Sequence, residues 1–369
     1  MSAFIQLLTD IDDPRQSAKI HYPLVNILFI SFCAIFYGAE GWHDIGLFAE
    51  YKQDWLSQYI DMSCGIPSYF TIRRLFCLID PSEIGALTRM ITRGLLKPDE
   101  PIGHIAIDGK SLRGNKSAAK GIKPLQIVSA WCESQGLSLA EVAVDKKSNE
   151  ITAIPLLLDL LELKGSTVSI DAMGAQEKIA RQILEKDGDY VLALKGNKGN
   201  LHKTVKAYME AEGADTPNLL RDYFDHSHGR DVRRRYFSCS VPESVKEFGF
   251  PGMQSLIATE TISNKQHDSK VTAEWRYYIS SHPCDTSSLP DVIRGHWAVE
   301  NKLHWVLDVH LKDDADRKLD RRAADNFSRI KRFIINMVRK NDTDKDLSVG
   351  RKLKKILWDD EYLKRILLS

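Results

Sequence analysis

Two short apolar runs in the chain each end on a carboxylate: His104-Ile105-Ala106-Ile107-Asp108-Gly109-Lys110 and Thr167-Val168-Ser169-Ile170-Asp171-Ala172-Met173-Gly174. Runs this rich in β-branched residues read as strands buried in a sheet, and each delivers an acid to a sheet edge. Side by side, the two strands suggest a paired-carboxylate site. Asp is also a common residue for leaving a strand, because it bonds its own backbone and caps helices, so for either Asp alone the plainer reading stands beside the chemical one.

At 369 residues the chain exceeds the size at which one core usually keeps growing, and two or three substructures are expected. Its net charge of +1, from 51 basic and 50 acidic residues, gives no global field of the kind that marks a nucleic-acid binder; any such binding must come from local patches. Cys33, Cys64, Cys77, Cys132, Cys239 and Cys284 are scattered without a C-x-x-C pair, which argues against a disulfide framework or a zinc ribbon and for a reducing cytoplasm. The longest apolar stretch, 24–37, is too short to span a bilayer, and the start Met1-Ser2-Ala3-Phe4-Ile5 lacks the basic region of a signal peptide. No membrane partner is expected.

Residues 1–95 read as a helical region. A helix started by Pro23 and apolar nearly all round must be buried. Gly65-Ile66-Pro67-Ser68 makes a turn, and the helices around it form either a helix-turn-helix or a plain bundle with Arg73 and Arg74 in solvent. Residues 96–101 have the composition of a linker. From 102 onward the periodicity becomes that of strands, in the order βββαβαβ, a mixed sheet in which the first and fourth strands lie side by side and parallel. This order belongs to the ribonuclease-H-like fold, and it would bring Asp108 and Asp171 together. At about 197–287 further strands read as an all-β insertion. Helical signals return at Ser288-Leu289-Pro290-Asp291 and predict one helix over 291–311. The basic tail 317–340 carries nine Lys/Arg against Asp320 and Asp325, and reads either as a solvated helix face or as a strip facing DNA.

Adjacent strand-end carboxylates repel unless a cation sits between them, and a hard divalent ion is the usual answer. On the helix after the insertion, Trp297, Glu300, Asn301, His304 and Asp308 share one broad face, making Glu300 the candidate third acid. Several motifs carry a family resemblance: Ile107-Asp108-Gly109-Lys110, Lys147-Ser148-Asn149-Glu150-Ile151, Ile170-Asp171-Ala172-Met173-Gly174, the run from Asp189 to Asn197, Ser227-His228-Gly229-Arg230, and the run from His296 to Trp305. In that order they resemble the DDE transposases of bacterial insertion sequences, specifically the H-repeat-associated group linked to Rhs elements, and residues 1–95 resemble that group's associated domain.

The resemblance implies an acidic triad of Asp108, Asp171 and Glu300 holding two Mg²⁺ or Mn²⁺ ions. One ion would activate water or a DNA 3′-hydroxyl and the other would stabilise the leaving oxygen. It implies double-stranded DNA as partner, both terminal inverted repeats and target, a homodimer on that DNA, and a bacterial cytoplasm close to the nucleoid. Where many related transposases carry Tyr, Arg and Lys around the Glu, this chain has Ile293, His296 and Leu307, so those phosphate contacts do not transfer. Expected DNA-contacting residues are Lys110, Arg113, Lys195, Asn197, Lys198, His228, Arg230, Arg233, His296, Trp297, Asn301 and His304, with Arg234 and Arg235 extending the basic cluster. At helical spacing Trp297 shares the Glu300 side and is expected against DNA, whereas Trp305, about 140° round, is expected in the core. Two other readings stay open: a domesticated or degenerate copy that binds DNA without transposing, and a structure-specific nuclease of the same fold.

Overall fold

The computed structural model describes residues 3–98, 102–144, 149–210, 218–227, 230–265 and 271–368. Its N-terminal third is helical: α1 (Ala3–Leu8), α2 (Leu24–Phe36), α3 (Trp42–Tyr51), α4 (Gln53–Leu56), α5 (Tyr69–Leu78) and α6 (Pro81–Gly94). All of α2 but Val25 is buried, as its apolar circumference requires. Ser68 and Asp80 cap α5 and α6 with side-chain oxygens, and Pro81 starts α6 where its missing N–H costs nothing. The helix-turn-helix alternative does not match: α4 is a single turn, and residues 57–68 separate it from α5. Arg73 and Arg74 are exposed.

The strands are β1 (His104–Leu112), β2 (Leu125–Cys132), β3 (Leu137–Ala143), β4 (Thr167–Ile170), β5 (Asp189–Leu194), β6 (Asn218–Ser227), β7 (Arg230–Ser240), β8 (Ser255–Lys265) and β9 (Val271–Ser280). They form one mixed nine-stranded sheet in the order β3-β2-β1-β4-β5-β9-β8-β7-β6. β1, β4 and β5 run parallel, with Ile107 opposite Ile170 and Ile170 opposite Leu192. The expected neighbourhood of the first and fourth strands is therefore observed.

The expected all-β insertion needs correction. It opens with a helix, α9 (Gly199–Glu210), and its strands form no second unit: β9 pairs antiparallel with β5, and β6–β8 follow outward. Pairing removes the edge that β5 would otherwise expose.

Period-2 alternation sends β1 to two cores. Ile105 and Ile107 face α7 (Glu150–Asp159) and α8 (Glu177–Glu185), packing with Leu157, Leu158, Ile179 and Ile183. Ala106 faces the other way, into a core shared by Trp131, the N-terminal helices and α13 (Arg321–Lys340). Short α10 (Glu243–Lys246) lies between β7 and β8, and α14 (Val349–Trp358) and α15 (Asp360–Leu367) close the chain against that second core. Between β9 and α13 run α11 (Leu289–His296), a π-helical turn (Val299–His304) and α12 (Trp305–Leu311).

The basic tail is neither a solvated face nor a strip facing DNA along most of its length. Phe327, Ile330, Phe333 and Ile334 are fully buried in α13, and so are Lys331 and Arg332. Burial on this scale is possible because the charges are paired. Lys331 lies 3.5 Å from Asp313 and 3.6 Å from Asp316, Arg332 lies 3.7 Å from Asp313, and the Arg329 Nε donates to Asp325 at 2.9 Å. The sequence shows the bases at 317–340 but not the acids at 313 and 316 folded beneath them.

Removing one partner of a buried pair strands the other charge, at about 3–5 kcal/mol. Lys331→Ala should therefore lower the unfolding free energy, read from urea titration, by that order, whereas Arg317→Ala, at an exposed position, should change stability by less than about 0.5 kcal/mol.

Candidate active site

Asp108 lies inside β1, opposite Ser129 of β2, one residue past the last β1–β4 pair. Asp171 follows the end of β4 directly and opens the 3₁₀ turn Ala172–Gly174. The register thus sets the two acids at adjacent parallel strand ends. Burial pushes the Asp108 carboxyl up to about 7; a bond from the Gly109 N–H opposes this, and the charges of Asp171, Glu150 and Glu300 push it further up. Glu300 comes from the π-helical turn and is exposed. An i→i+5 turn is uncommon and concentrates at functional sites.

The surroundings of Asp108 are fixed by polar contacts. His304, buried, sets Nδ1 3.6 Å from the Asp108 Oδ2, and burial with the charges of Arg332 and Lys110 lowers its imidazole to about 3, so it stays neutral. Lys110, on the same face of β1, is spent on Asp308 of α12 at 2.6 Å. Lys195, at the end of β5, lies 3.4 Å from Asp171 and is largely exposed. Among the described residues no three acid, imidazole or thiol groups stand close enough to hold an ion as they are. The oxygen-only chemistry of Asp108, Asp171 and Glu300 suits a hard divalent cation such as Mg²⁺.

A cleft of about 400 Å³ runs from Asp171 and Lys195 along β5 and β9 to His296 and Trp297. A second recess, lined by Arg234, Arg276, Arg294, Tyr278 and Trp297, adjoins it. Arg276 stacks on the Trp297 ring at 4.5 Å from its centroid. His296 bonds Ser169 Oγ at 2.8 Å, and the same hydroxyl meets His104 Nε2 at 2.7 Å; burial lowers the His296 imidazole to about 4.

Residues 99–337, which carry all three acids, match the transposase DDE domain, and residues 5–90 match the region associated with it. The chain belongs to the DDE transposase family. The H repeat-associated protein YhhI of Escherichia coli (strain K12) is 35% identical over 377 residues, covering 100% of this chain and 98% of that protein. YncI of Escherichia coli O157:H7 is 36% identical over 379 residues, covering 100% and 95%. This member of the H-repeat-associated group also shares 12% identity, at a TM-score of 0.45, with a piggyBac transposase synaptic complex with hairpin DNA, covering 98% of this chain and 78% of the other.

Several residues expected on DNA have other employment in this DDE protein. Lys110 and His304 are buried behind the carboxylates. Asn197 donates to the Ala172 carbonyl at 2.8 Å and Lys198 to Gln176 at 3.0 Å, contacts that pin the Asp171 turn. Arg233 is paired with Asp222 across β6–β7 and Arg235 with Glu260 across β7–β8, whereas Arg234 faces the recess. Arg113 and Asn301 are exposed. His228 lies outside the described residues, as does the side chain of Arg230. Glu150, whose charge reaches Asp108, and Arg276 and Arg294 of the recess are not marked by the sequence: the arginines carry no local signal, and Glu150 stands in Lys147-Ser148-Asn149-Glu150-Ile151 with no chemistry of its own.

Trp305 is a correction. It is 56% exposed, against 40% for Trp297, and its one aromatic-ring contact among the described residues is with the edge of His310. The expectation assumed α-helical rotation, and the wider π turn brings position 305 round toward the azimuth of Glu300.

Two outcomes follow. In metal-free protein the folded state holds a proton on Asp108 that the unfolded chain, at about 3.9, releases. The corresponding stability is present below about pH 4 and is lost as pH rises through about 7. The parent's stability advantage over Asp108→Asn should therefore shrink across that interval, read as urea midpoints in a chelator. Trp305→Ala should shift stability by less than about 1 kcal/mol, as an exposed site does.

Proposed function

We propose that the chain is a transposase that cuts DNA strands at the ends of its element and joins them to a target, on a ribonuclease-H-like sheet. The observation that supports this best is the juxtaposition of Asp108 and Asp171 at parallel strand ends, with the Asp108 carboxyl pushed up to about 7 by burial and by the charges of the neighbouring acids. Such a pair is an anion cluster waiting for cations. Asp108, Asp171 and Glu300 would hold them. A pair of divalent ions there supplies charge stabilisation at phosphorus and acidifies the attacking hydroxyl.

The chain's own residues do the rest. Neutral His304 backs Asp108 without adding charge, and the Lys110–Asp308 pair ties β1 to α12 and so fixes the π turn carrying Glu300. Lys195 sits at the mouth of the cleft, where a DNA phosphate can compete with Asp171 for its ammonium. Arg234 and Arg294, with Arg276 paired to Glu274, give the adjoining recess a local basic excess that the chain as a whole lacks. The Arg276-covered face of Trp297 leaves its ring partly open for an unpaired base, a contact worth about 1–3 kcal/mol.

Asp108→Asn, Asp171→Asn and Glu300→Gln should each abolish Mg²⁺-dependent cleavage of a DNA fragment spanning the termini of the encoding element, with melting temperatures that show folded protein. Full cleavage by any one variant removes that residue from the site.

A further inference from the structure

Glu150 is the first residue of α7, in the layer that packs on the Ile105 and Ile107 side of β1. Asp108 points to the opposite side, toward His304 and the π turn. Gly109, next in β1, turns toward α7. A Cβ built on it would lie 2.4 Å from the Glu150 Oε1 and 2.5 Å from its Cδ, so the carboxylate occupies the space that any side chain at 109 would need. We propose that Glu150 is a fourth carboxylate of the divalent-metal site, reaching the strand end from the far face of the sheet through the gap at Gly109. This inference rests on the metal-dependent reading of Asp108, Asp171 and Glu300.

Three features support it. Glu150 is electrostatically joined to both strand-end acids: Asp108 feels its charge, and it feels that of Asp171. Nothing cationic among the described residues relieves it, since burial and Asp171 both raise its carboxyl. His304, only 8% exposed, faces Asp108 through Nδ1 while its buried Nε2 finds no hydrogen-bond partner among the described residues. That imidazole faces the Asp108 carboxylate and feels the charges of Arg332 and Lys110, and an unpaired buried ring nitrogen on it is the kind of group that a bound ion's water can satisfy. Packing holds the arrangement: Gly174 lets Ile154 of α7 close on Ile170, which locks α7 to the Asp171 turn.

The competing account is that Glu150 merely complements the N-terminal dipole of α7. Calorimetric titration of the chelated full-length protein with Mn²⁺, without DNA, separates the two. Glu150→Gln should weaken Mn²⁺ binding about tenfold or more while metal-free melting stays unchanged or rises. Gly109→Ala should weaken binding by displacing the carboxylate, and combined with Glu150→Gln it should add nothing. Unchanged affinity with a lower metal-free melting temperature in Glu150→Gln, or losses that add in the double variant, would overturn the assignment. Asp108→Asn distinguishes the levels: if it loses Mn²⁺ binding while Glu150→Gln keeps it, only the role of Glu150 falls. If Asp108→Asn also binds Mn²⁺ normally, the metal reading of the site falls with it.

Discussion

The repulsion between Asp108 and Asp171 is the constraint around which this structure is arranged. Parallel pairing of β1 with β4 leaves no freedom in their separation, because Ile107 is locked opposite Ile170 and both acids follow at once. Among the described residues neither acid has a buried cation of its own. Lys110, which could have neutralised Asp108, is held by Asp308, and among the described residues the ammonium paired with Asp171 is that of the exposed Lys195. Fully neutralised by side chains, the pair would be a structural ion cluster like the one beneath α13. Left short of positive charge, it stores electrostatic cost that a bound cation can relieve.

The contrast with α13 makes the point within one molecule. There Asp313 and Asp316 meet Lys318, Lys331 and Arg332, all buried, and the helix serves as the central strut between the sheet and the N-terminal helices. Phe327 and Phe333 from this helix contact aromatic rings of α1, α2 and α5, so the helical N-terminal region shares its core with the C-terminal helices. Its mobility relative to the carboxylate site is limited by that packing.

Much of the site was legible because it is built on local periodicity. Strands ending on Asp announce themselves through alternation and β-branching, and the strand order then dictates which ends meet. What stayed hidden depended on partners distant in sequence. The bases of 317–340 have the composition of a surface, and only their acids at 313 and 316 make them a core. Arg233 and Arg235 read as free charge until cross-strand register supplies Asp222 and Glu260. The strands after β5 looked like a separate unit because nothing in a strand's own sequence names its neighbour. The π turn defeated the helical projection of Trp305, since rotation was assumed at a place where the helix widens.

Anomalous diffraction from crystals grown with Mn²⁺ tests most directly whether a cation pair sits between the strand-end carboxylates. The expected outcome is Mn²⁺ peaks between the carboxylates of Asp108 and Asp171, with Glu300 in reach of the same density. Crystals with Mn²⁺ sites elsewhere on the protein and none between these two strand ends would contradict it.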